Sequence, residues 1–204
     1  MIVVGLTGSI GMGKSLTAAM LRKMGYPVHS ADTAVHHALG EGGAAVEAVG
    51  ALFPEALKDN MIDRKILGGK VFGDPEKLKQ LEAILHPLVR RSEEEKIARA
   101  HANGSPAVIL DIPLLFETGA ETRCNAVICV TAPAWIQRRR VLKRPGMTEE
   151  KFARILAAQM PDAEKRRRAN YIVQTGFGRW AAFRQLRRIM KRLTTDNIQF
   201  TVQK

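Results

Sequence analysis

The stretch GSIGMGKS, at residues 8–15, restricts the possible fold more than any other feature of the sequence. It matches the pattern G-x-x-x-x-G-K-[ST], follows the apolar run IVVGL (residues 2–6) and precedes a predicted helix at 15–24. Gly8, Gly11 and Gly13 let the backbone curl so that its N–H groups face a phosphate chain. Lys14 then places a positive charge on the β- and γ-phosphates, and the Ser15 hydroxyl binds Mg²⁺. In this context the pattern predicts a phosphate-binding loop, here called the P-loop, rather than a flexible glycine turn.

Apolar runs alternate with predicted helices along the rest of the chain. The predicted strands are residues 2–6, 26–30, 106–111, 126–131 and 171–175. This alternation predicts an α/β fold of the P-loop NTPase type, in which a five-stranded parallel sheet lies between two layers of helices. The last predicted helix, at 180–193, is followed by an expected irregular tail.

The segment between the second and third predicted strands is far longer than one crossover helix requires. Its predicted helices are 32–40, 44–52, 74–85 and 87 to about 102. We therefore expect a helical domain, residues 32–104, inserted into a core formed by residues 1–31 and 105–204. The insertion would lie beside the carboxyl edge of the sheet, where open α/β sheets bind ligands.

Two predicted strands end in carboxylates that suit phosphoryl transfer. Such a reaction needs a carboxylate that orients or deprotonates the acceptor hydroxyl. Asp32 follows the second strand and would point toward the γ-phosphate, but it could equally cap a helix that begins at Thr33. Asp111 ends the run VILD, at a position where a carboxylate is expected to reach Mg²⁺. The alternative role of Asp111 is to cap a helix or a turn. The residues alone leave the two roles of Asp32 open.

A basic segment, QRRRVLKR at residues 137–144, could cover the phosphates. Arg140 and Arg144 are four positions apart and share one face of a predicted helix. The break at Pro145 and Gly146 follows directly, which favours a mobile lid. The alternative is a solvated basic face.

The chain carries a net charge of +12, which implies acidic partners such as nucleic acid, anionic lipid or phosphorylated small molecules. The last predicted helix has a stripe of basic residues: Arg184, Arg187, Arg188, Lys191 and Arg192. A nucleic-acid-binding ATPase is therefore a rival hypothesis. Because only 5% of residues are aromatic and no nucleic-acid-binding module is recognisable, a solvated face and a polyanionic substrate are favoured.

The chain has neither the long apolar run of a membrane span nor the core of a signal peptide. Its two cysteines, Cys124 and Cys129, lie beside and within a predicted buried strand and are expected to be packed, reduced thiols. These features predict a cytoplasmic protein without membrane association.

The sequence resembles the dephospho-CoA kinases, which phosphorylate the ribose 3′-hydroxyl of dephospho-CoA to complete coenzyme A. The resemblance runs from IVVGLTGSIGMGKS to ANYIVQTG. The segments that carry it are GLTGSIGMGKS, SAD, LHPLV, DIPLLFE and the Arg140/Arg144 helix followed by MTEEKFARILAAQM. LHPLV and PLLFE are uncommon outside this family and argue against the nearer rival, a nucleoside or nucleoside-monophosphate kinase of the same fold.

The resemblance implies a P-loop core, a helical CoA-binding domain that matches 32–104, and a lid that matches 137–160. It implies that Asp32 is the catalytic base and that Lys14 and Arg140 offset the developing charge. The implied ATP-binding residues are Gly8, Gly11, Met12, Gly13, Lys14, Ser15, Leu16 and Arg144. The implied substrate-binding residues are Thr7, Asp32, His36, His86, Pro87, Leu88 and Leu114. The implied contacts to Mg²⁺ are Ser15 and, through water, Asp111.

Several residues depart from the pattern of the family. Ser30 replaces the first Asp of the usual Asp-Ala-Asp, Leu16 replaces the usual Thr, and Asn170 and Gln174 stand where Asp is common. None of these changes removes a residue that the chemistry requires. We therefore expect ATP with Mg²⁺ at the P-loop and dephospho-CoA between the core and the insertion. The expected protein is a monomer or weak homo-oligomer with no specific nucleic-acid partner.

Overall fold

The structure, a computed structural model, describes residues 1–71 and 73–201. Its contacts divide the chain into two compact units. The sheet unit consists of Met1–His29 and Arg99–Lys204, and the helical unit consists of Ser30–Ala98. The sequence placed the inserted domain at 32–104.

The strands and helices alternate along the described part of the chain. The strands are β1 (Ile2–Thr7), β2 (Val28–Ser30), β3 (Leu57–Lys58), β4 (Met61–Ile62), β5 (Ala107–Asp111), β6 (Ala126–Thr131) and β7 (Tyr171–Gln174). The helices are α1 (Lys14–Lys23), α2 (Ala31–Leu39), α3 (Val46–Leu52), α4 (Arg64–Val71), α5 (Pro75–Ala102), α6 (Ala134–Leu142), α7 (Glu149–Ala157), α8 (Asp162–Arg168) and α9 (Arg179–Thr201). Two 3₁₀ turns are Pro54–Ala56 and Ala120–Arg123.

Five strands form a parallel sheet in the order β2-β5-β1-β6-β7, which confirms the predicted α/β fold. β1 is central because its residues are apolar on both faces. In the register of the sheet, Leu6 of β1 lies opposite Asp111 of β5, and Thr7 lies opposite Cys129 of β6. The carboxyl ends of the three middle strands therefore meet at one edge, where the P-loop begins.

The two faces of the sheet are covered differently. On one face, Leu6 of β1 belongs to a buried cluster with Leu21 of α1 and Leu186 of α9. On the other face Gly5 lets the loop after β5 come close, because an added Cβ would lie 2.6 Å from a methyl carbon of Leu115. The central strands are thereby shielded from water, which stabilises the edge that carries the P-loop.

The last helix is longer than the sequence predicted. α9 runs from Arg179 to Thr201, whereas the predicted helix ends at 193 and is followed by an irregular tail. No Gly or Pro occurs within 179–201 to end the helix, so the prediction of a tail is wrong for residues 194–201. Residues 202–204 lie outside the described part of the chain.

The helical unit has its own apolar core. Its buried residues are Leu39, Ala45, Val46, Val49, Phe53, Ala56, Ile62, Leu67, Leu81 and Leu85. α5 continues through Pro87, so the predicted break between two helices at that position is wrong. Proline removes one backbone hydrogen bond, but Leu81, Leu85 and Leu88 pack into the core on both sides of it and hold the helix together.

A small hairpin in the helical unit was also not predicted. β3 and β4 pair antiparallel and are joined by Asp59 and Asn60, which have φ angles of +46° and +58°. Asp and Asn tolerate this left-handed conformation, which a two-residue hairpin turn requires. The strands are too short for alternation of apolar residues to reveal them in the sequence.

Two further observations bear on the class of protein. No helix in the described ranges combines the length and the apolar character needed to cross a bilayer. Cys124 and Cys129 are not joined in a disulfide. Burial, followed by the nearby charge of Asp162, raises the pKa of Cys129 to about 12, so this thiol stays neutral.

Candidate nucleotide-binding site

The P-loop connects β1 to α1 and depends on glycine in two ways. Gly11 and Gly13 have φ angles of +77° and +96°, a conformation that L side chains rarely adopt. An added Cβ on Gly11 would also lie 2.5 Å from a methyl carbon of Val141, and one on Gly13 would lie 3.1 Å from Thr175 Oγ1. The loop therefore needs glycine both for its turn and for its close contact with α6 and with the residue that follows β7.

The first turn of α1 presents unpaired backbone donors. Gly13 is the N-cap and supplies no side chain, and no acidic residue lies in the first turn. Within the described ranges, no backbone carbonyl accepts a hydrogen bond from the N–H groups of Lys14, Ser15 or Leu16. These N–H groups, together with the positive end of the helix dipole, form an anion-binding site.

Lys14 forms an ion pair with Asp111. Its Nζ lies 2.6 Å from Asp111 Oδ1, and the two side chains are only 13% and 8% exposed. The pair forms because β1 and β5 are adjacent and their carboxyl ends meet, as the register of Leu6 with Asp111 shows. The ammonium group of Lys14 is thus held at the P-loop before any phosphate binds there.

Two oxygen groups of the sheet unit suit Mg²⁺. Ser15 is the exposed second residue of α1, and Asp111 is the carboxylate that pairs with the preceding residue, Lys14. Mg²⁺ is usually bound by one or two such oxygens together with substrate phosphates, rather than by a cage of protein ligands. In the described part of the chain, no group of three or more His, Cys, Asp or Glu residues is arranged for metal binding. The Mg²⁺ contacts of Ser15 and Asp111 stay a prediction.

Arg140 is bound to the P-loop and to the end of β7. Its guanidinium donates to Thr175 Oγ1 and to the Thr175 carbonyl, each at 2.9 Å, and to the Gly11 carbonyl at 3.4 Å. Thr175 Oγ1 in turn donates to the Met12 carbonyl at 2.7 Å. Arg144, four residues along, is exposed and has no ion pair in the described ranges. Of the two predicted lid arginines, only Arg140 is held in place.

Sequence reasoning missed Thr175 as a site residue. The sequence could have indicated Thr175 only by its position, because it follows β7 at the same sheet edge as the P-loop.

The loop after β5 is held by an ion pair with a buried lysine, which the sequence did not reveal. Lys165 of α8 is completely buried, and its Nζ lies 2.8 Å from Glu117 Oε1. The same ammonium donates to the Pro113 carbonyl at 3.2 Å, and Thr7 Oγ1 donates to that carbonyl at 3.0 Å. Leu114, predicted to bind substrate, lies in this loop and is 40% exposed.

The carboxylate of Glu117 is stabilised in its charged form. Burial raises the pKa of Glu117, but the hydrogen bonds from Lys165 and from the Met160 N–H together lower it by more. The net effect is a pKa below the ordinary value of 4.5. The Met160 N–H donates at 2.8 Å. Because Lys165 stands in the charged run EKRRR, its burial could not be read from composition.

A cleft of about 400 Å³ lies beside the P-loop. Its lining residues include Met12, Thr131, Pro133, Asp162 and Gln174. Thr131 Oγ1 donates to Asp162 Oδ2 at 2.8 Å, whereas the buried Asp162 Oδ1 has no hydrogen-bond partner. The wall of the cleft therefore contains one buried carboxylate oxygen without a hydrogen-bond partner.

In the helical unit, the structure decides how α2 begins. Ser30 is the N-cap, and its hydroxyl accepts a hydrogen bond from the Thr33 N–H at 3.3 Å. Asp32 is therefore not the cap, and that alternative is wrong. Its carboxylate lies in the first turn, exposed and without a hydrogen bond or ion pair among the described residues.

The other predicted substrate residues of the helical unit lie on α2 and α5. His36 Nδ1 is 3.4 Å from Nη1 of Arg64. His86 and Pro87 are exposed on α5, whereas Leu88 packs against the core of the unit. Leu88 therefore has a structural role whether or not it also contacts a substrate.

Comparisons with known proteins agree with one another. The family profile described as dephospho-CoA kinase matches residues 2–177. The dephospho-CoA kinase of Mesorhizobium japonicum is 55% identical over 182 residues, which is 89% of this chain and 91% of that protein. The dephospho-CoA kinase of Rhodospirillum rubrum is 53% identical over 187 residues, covering 91% of this chain and 89% of its own length.

Two solved structures share the architecture of the whole chain. A Thermus thermophilus protein has a TM-score of 0.82 at 40% identity, with 94% of this chain and 97% of that chain covered. The dephospho-CoA kinase from Campylobacter jejuni has a TM-score of 0.72 at 27% identity, with 96% and 98% covered. The similarity therefore includes the sheet unit and the helical unit.

Proposed function

The chain belongs to the dephospho-CoA kinase family, and we propose that it transfers the γ-phosphoryl group of ATP to the ribose 3′-hydroxyl of dephospho-CoA. The products are coenzyme A and ADP, and the reaction is the last step of coenzyme A biosynthesis. The observation that carries this proposal is the P-loop, preorganised beside the Lys14–Asp111 pair, in a chain that matches the family profile over residues 2–177.

The sheet unit binds ATP in this proposal. The N–H groups of the loop and of the first turn of α1 donate to phosphate oxygens, and Lys14 places its charge on the β- and γ-phosphates. Lys14 must then share its ammonium group between Asp111 and the nucleotide. The arriving phosphates replace part of the attraction that Asp111 supplies in their absence.

The Ser15 hydroxyl and the Asp111 carboxylate are the groups proposed to contact Mg²⁺, with Asp111 acting through water. When bound, this ion neutralises charge on the transferring phosphoryl group. A bound cation near Asp111 would also stabilise its charged carboxylate, because Lys14 then shares its ammonium group with the nucleotide phosphates.

The helical unit supplies the base and the acceptor-binding residues. Asp32 accepts the proton of the attacking 3′-hydroxyl, and this role is supported by an exposed carboxylate that no neighbour occupies and that does not cap its helix. His36, His86 and Pro87 are the proposed exposed contacts to dephospho-CoA. The exposed imidazoles of His36 and His86 can bond a ligand that carries phosphates and an adenine ring, and the exposed ring of Pro87 can pack against it.

Residues 137–160 act as a lid over the bound nucleotide. Arg140 lies on α6, whereas Arg144 lies two residues beyond the end of this helix, so the two arginines do not share one helical face as the sequence predicted. Arg144 is exposed and can approach phosphate oxygens as the lid closes. Closure would exclude water, which would otherwise accept the phosphoryl group and waste ATP.

We also propose that the enzyme works in the cytoplasm as a monomer or weak homo-oligomer without a specific nucleic-acid partner. Reduced cysteines at 124 and 129, which form no disulfide, suit a reducing compartment. The net charge of +12 suits a substrate and a product that are both polyanionic.

A panel of acceptors tests the function. ADP release is measured with ATP and Mg²⁺ in the presence of dephospho-CoA, AMP, CMP or a nucleoside, and a Lys14→Met variant controls for contaminating kinases. The proposal predicts turnover with dephospho-CoA that the variant lacks. Turnover with a nucleoside or a nucleoside monophosphate alone would overturn it and favour the rival kinase class.

A further inference from the structure

Two glutamines bond the backbone N–H and the backbone carbonyl of Ile10, in the middle of the P-loop. The Ile10 N–H donates to Gln159 Oε1 at 3.0 Å, and Gln137 Nε2 donates to the Ile10 carbonyl at 2.8 Å. The chemistry fixes both amide orientations, because an N–H requires an acceptor and a carbonyl requires a donor. One glutamine therefore acts only as acceptor and the other only as donor.

The two glutamines come from opposite ends of the predicted lid segment, 137–160. Gln137 lies on α6 and is only 6% exposed, whereas Gln159 lies just beyond the end of α7. α6 also packs against the loop directly, since Val141 would collide with any side chain at position 11. Both ends of the segment are thus attached to one residue of the P-loop, through the two peptide groups that flank its Cα.

Side-chain donors hold three successive carbonyls of the loop. The Ile10 carbonyl accepts from Gln137, the Gly11 carbonyl accepts from Arg140, and the Met12 carbonyl accepts from the hydroxyl of Thr175. A carbonyl that is held toward a protein donor cannot turn into the loop, where it would repel a phosphate oxygen. The contacts therefore preserve the form of the loop in which N–H groups, rather than carbonyls, meet the anion.

We propose that Gln137 and Gln159 are positioning residues that keep the P-loop in its phosphate-binding form and link it to both ends of the lid segment. This inference rests on the proposed function, in which the P-loop binds ATP. Neither side chain needs to touch the nucleotide. They act by fixing the N–H and the carbonyl of Ile10. Their loss should therefore change the affinity for ATP more than the stability of the fold.

Two matched variants test the inference. Gln137→Glu and Gln159→Glu each add one negative charge beside Ile10, so the two variants carry the same change in net charge. Glutamate at 159 still accepts from the Ile10 N–H, whereas glutamate at 137 can no longer donate to the Ile10 carbonyl and repels it. The dissociation constant for ATP, measured by calorimetry, should therefore rise at least about fivefold more in Gln137→Glu than in Gln159→Glu.

Gln185→Met is the control for loss of a similar contact elsewhere. Gln185 accepts from the Gln174 N–H at 3.0 Å and donates to the Gln174 carbonyl at 3.3 Å, which is the same kind of peptide clamp. This variant should lower the midpoint of thermal unfolding without changing ATP affinity. If Gln137→Glu does not fold, the neutral pair Gln137→Met and Gln159→Met replaces the charged pair, and each should weaken ATP binding about threefold or more.

The outcomes separate this inference from the proposed function. Equal ATP dissociation constants in the charged pair, or an unchanged constant in the neutral pair, would overturn the positioning role. Loss of thermal stability without loss of ATP affinity would do the same. Wild-type protein that binds ATP but does not phosphorylate dephospho-CoA would instead overturn the proposed function and leave the positioning role standing.

Discussion

The sheet unit and the helical unit present their predicted functional residues in opposite ways. In the sheet unit, the polar groups of Lys14, Arg140 and Thr7 are already bound to protein partners. In the helical unit, Asp32 and His86 are exposed on helices, and no ion pair of either is found in the described ranges. If these residues have the proposed roles, the groups that bind ATP are held in place before the nucleotide binds, whereas those that bind the acceptor are exposed.

This comparison has a measurable consequence. A substitution in the sheet unit should change stability or ATP affinity as well as turnover, because it breaks contacts that hold the loop. A substitution of an exposed group in the helical unit should change turnover or acceptor affinity alone. The following predictions test this division, beginning with the largest expected effect.

Asp32→Asn should lower turnover by roughly 10²–10⁴-fold, because an amide cannot accept the proton of the acceptor hydroxyl. The affinity for ATP and the midpoint of thermal unfolding should change little, since the carboxylate is exposed and does not cap α2. Steady-state kinetics with dephospho-CoA, together with ATP calorimetry, checks both parts. Glu47→Gln, which neutralises an exposed carboxylate on α3, is the control and should behave as wild type.

Near-normal turnover of Asp32→Asn would mean that another group, or no base at all, accepts the proton. Since Ser30 already fills the capping position, Asp32 would then have no assigned role.

Lys165→Met should destabilise the sheet unit by about 1–3 kcal/mol, because it removes the buried ammonium group that bonds Glu117 and the Pro113 carbonyl, whereas the partly exposed carboxylate of Glu117 keeps contact with water. Adding Glu117→Leu should recover much of the loss, since the second change removes the uncompensated charge. Chemical denaturation of the single and double variants measures this coupling. If the double variant is as unstable as the sum of the two single variants, the ion pair is not the source of the effect.

Arg140→Ala should slow turnover by about 10- to 100-fold and weaken ATP binding, because it removes contacts to Thr175 and to the Gly11 carbonyl. Arg139→Ala is the matched control, since Arg139 is exposed on the same helix. Parallel kinetics of the two variants is the measurement. Equal effects in the two variants would show that Arg140 contributes only general positive charge.

Ser30→Ala should cost about 1 kcal/mol of stability through loss of the α2 cap, whereas Ser30→Asp should cost almost nothing because Asp is an equally good cap. Neither change should alter the affinity for ATP. Thermal unfolding and ATP calorimetry report the two quantities. A large loss of turnover in Ser30→Asp would show that a carboxylate at this position disturbs the neighbouring Asp32.

The smallest expected effect is a pH dependence that involves Glu117. Because its pKa in the folded protein is below the ordinary value of 4.5, its ionised form stabilises the fold above that pH. This contribution is lost as the pH falls through the folded pKa. The difference in unfolding midpoint between wild type and Glu117→Gln should therefore shrink from neutral pH to about pH 3.5. A difference that grows on acidification would contradict the assignment.

The sequence predicted the parts of the molecule that strong local patterns determine. The five strands of the sheet and the glycine-rich loop between β1 and α1 follow from residues that are adjacent in the chain, and the structure confirms them. The continuous helix through Pro87 was not predicted, because packing on both sides outweighs the tendency of proline to end a helix. The extension of α9 was not predicted, because the polar residues after 193 lack a clear apolar helical pattern.

The contacts that hold the P-loop could not be predicted in the same way. Gln137, Gln159 and Thr175 lie more than 120 residues from the loop in sequence and meet it only when the sheet edge forms. Lys165 likewise looks like the exposed arginines that follow it, although it is completely buried. Such roles depend on tertiary contacts, and a single sequence gives no signal for them.

The most direct test of the account is an analysis of the product. The purified protein is incubated with dephospho-CoA, ATP and Mg²⁺, and the nucleotide products are separated and examined by ³¹P NMR and mass spectrometry. The account predicts ADP and one new phosphomonoester at the ribose 3′ position, in equal amounts. ATP hydrolysis without transfer, or phosphorylation at any other position of the acceptor, would contradict it.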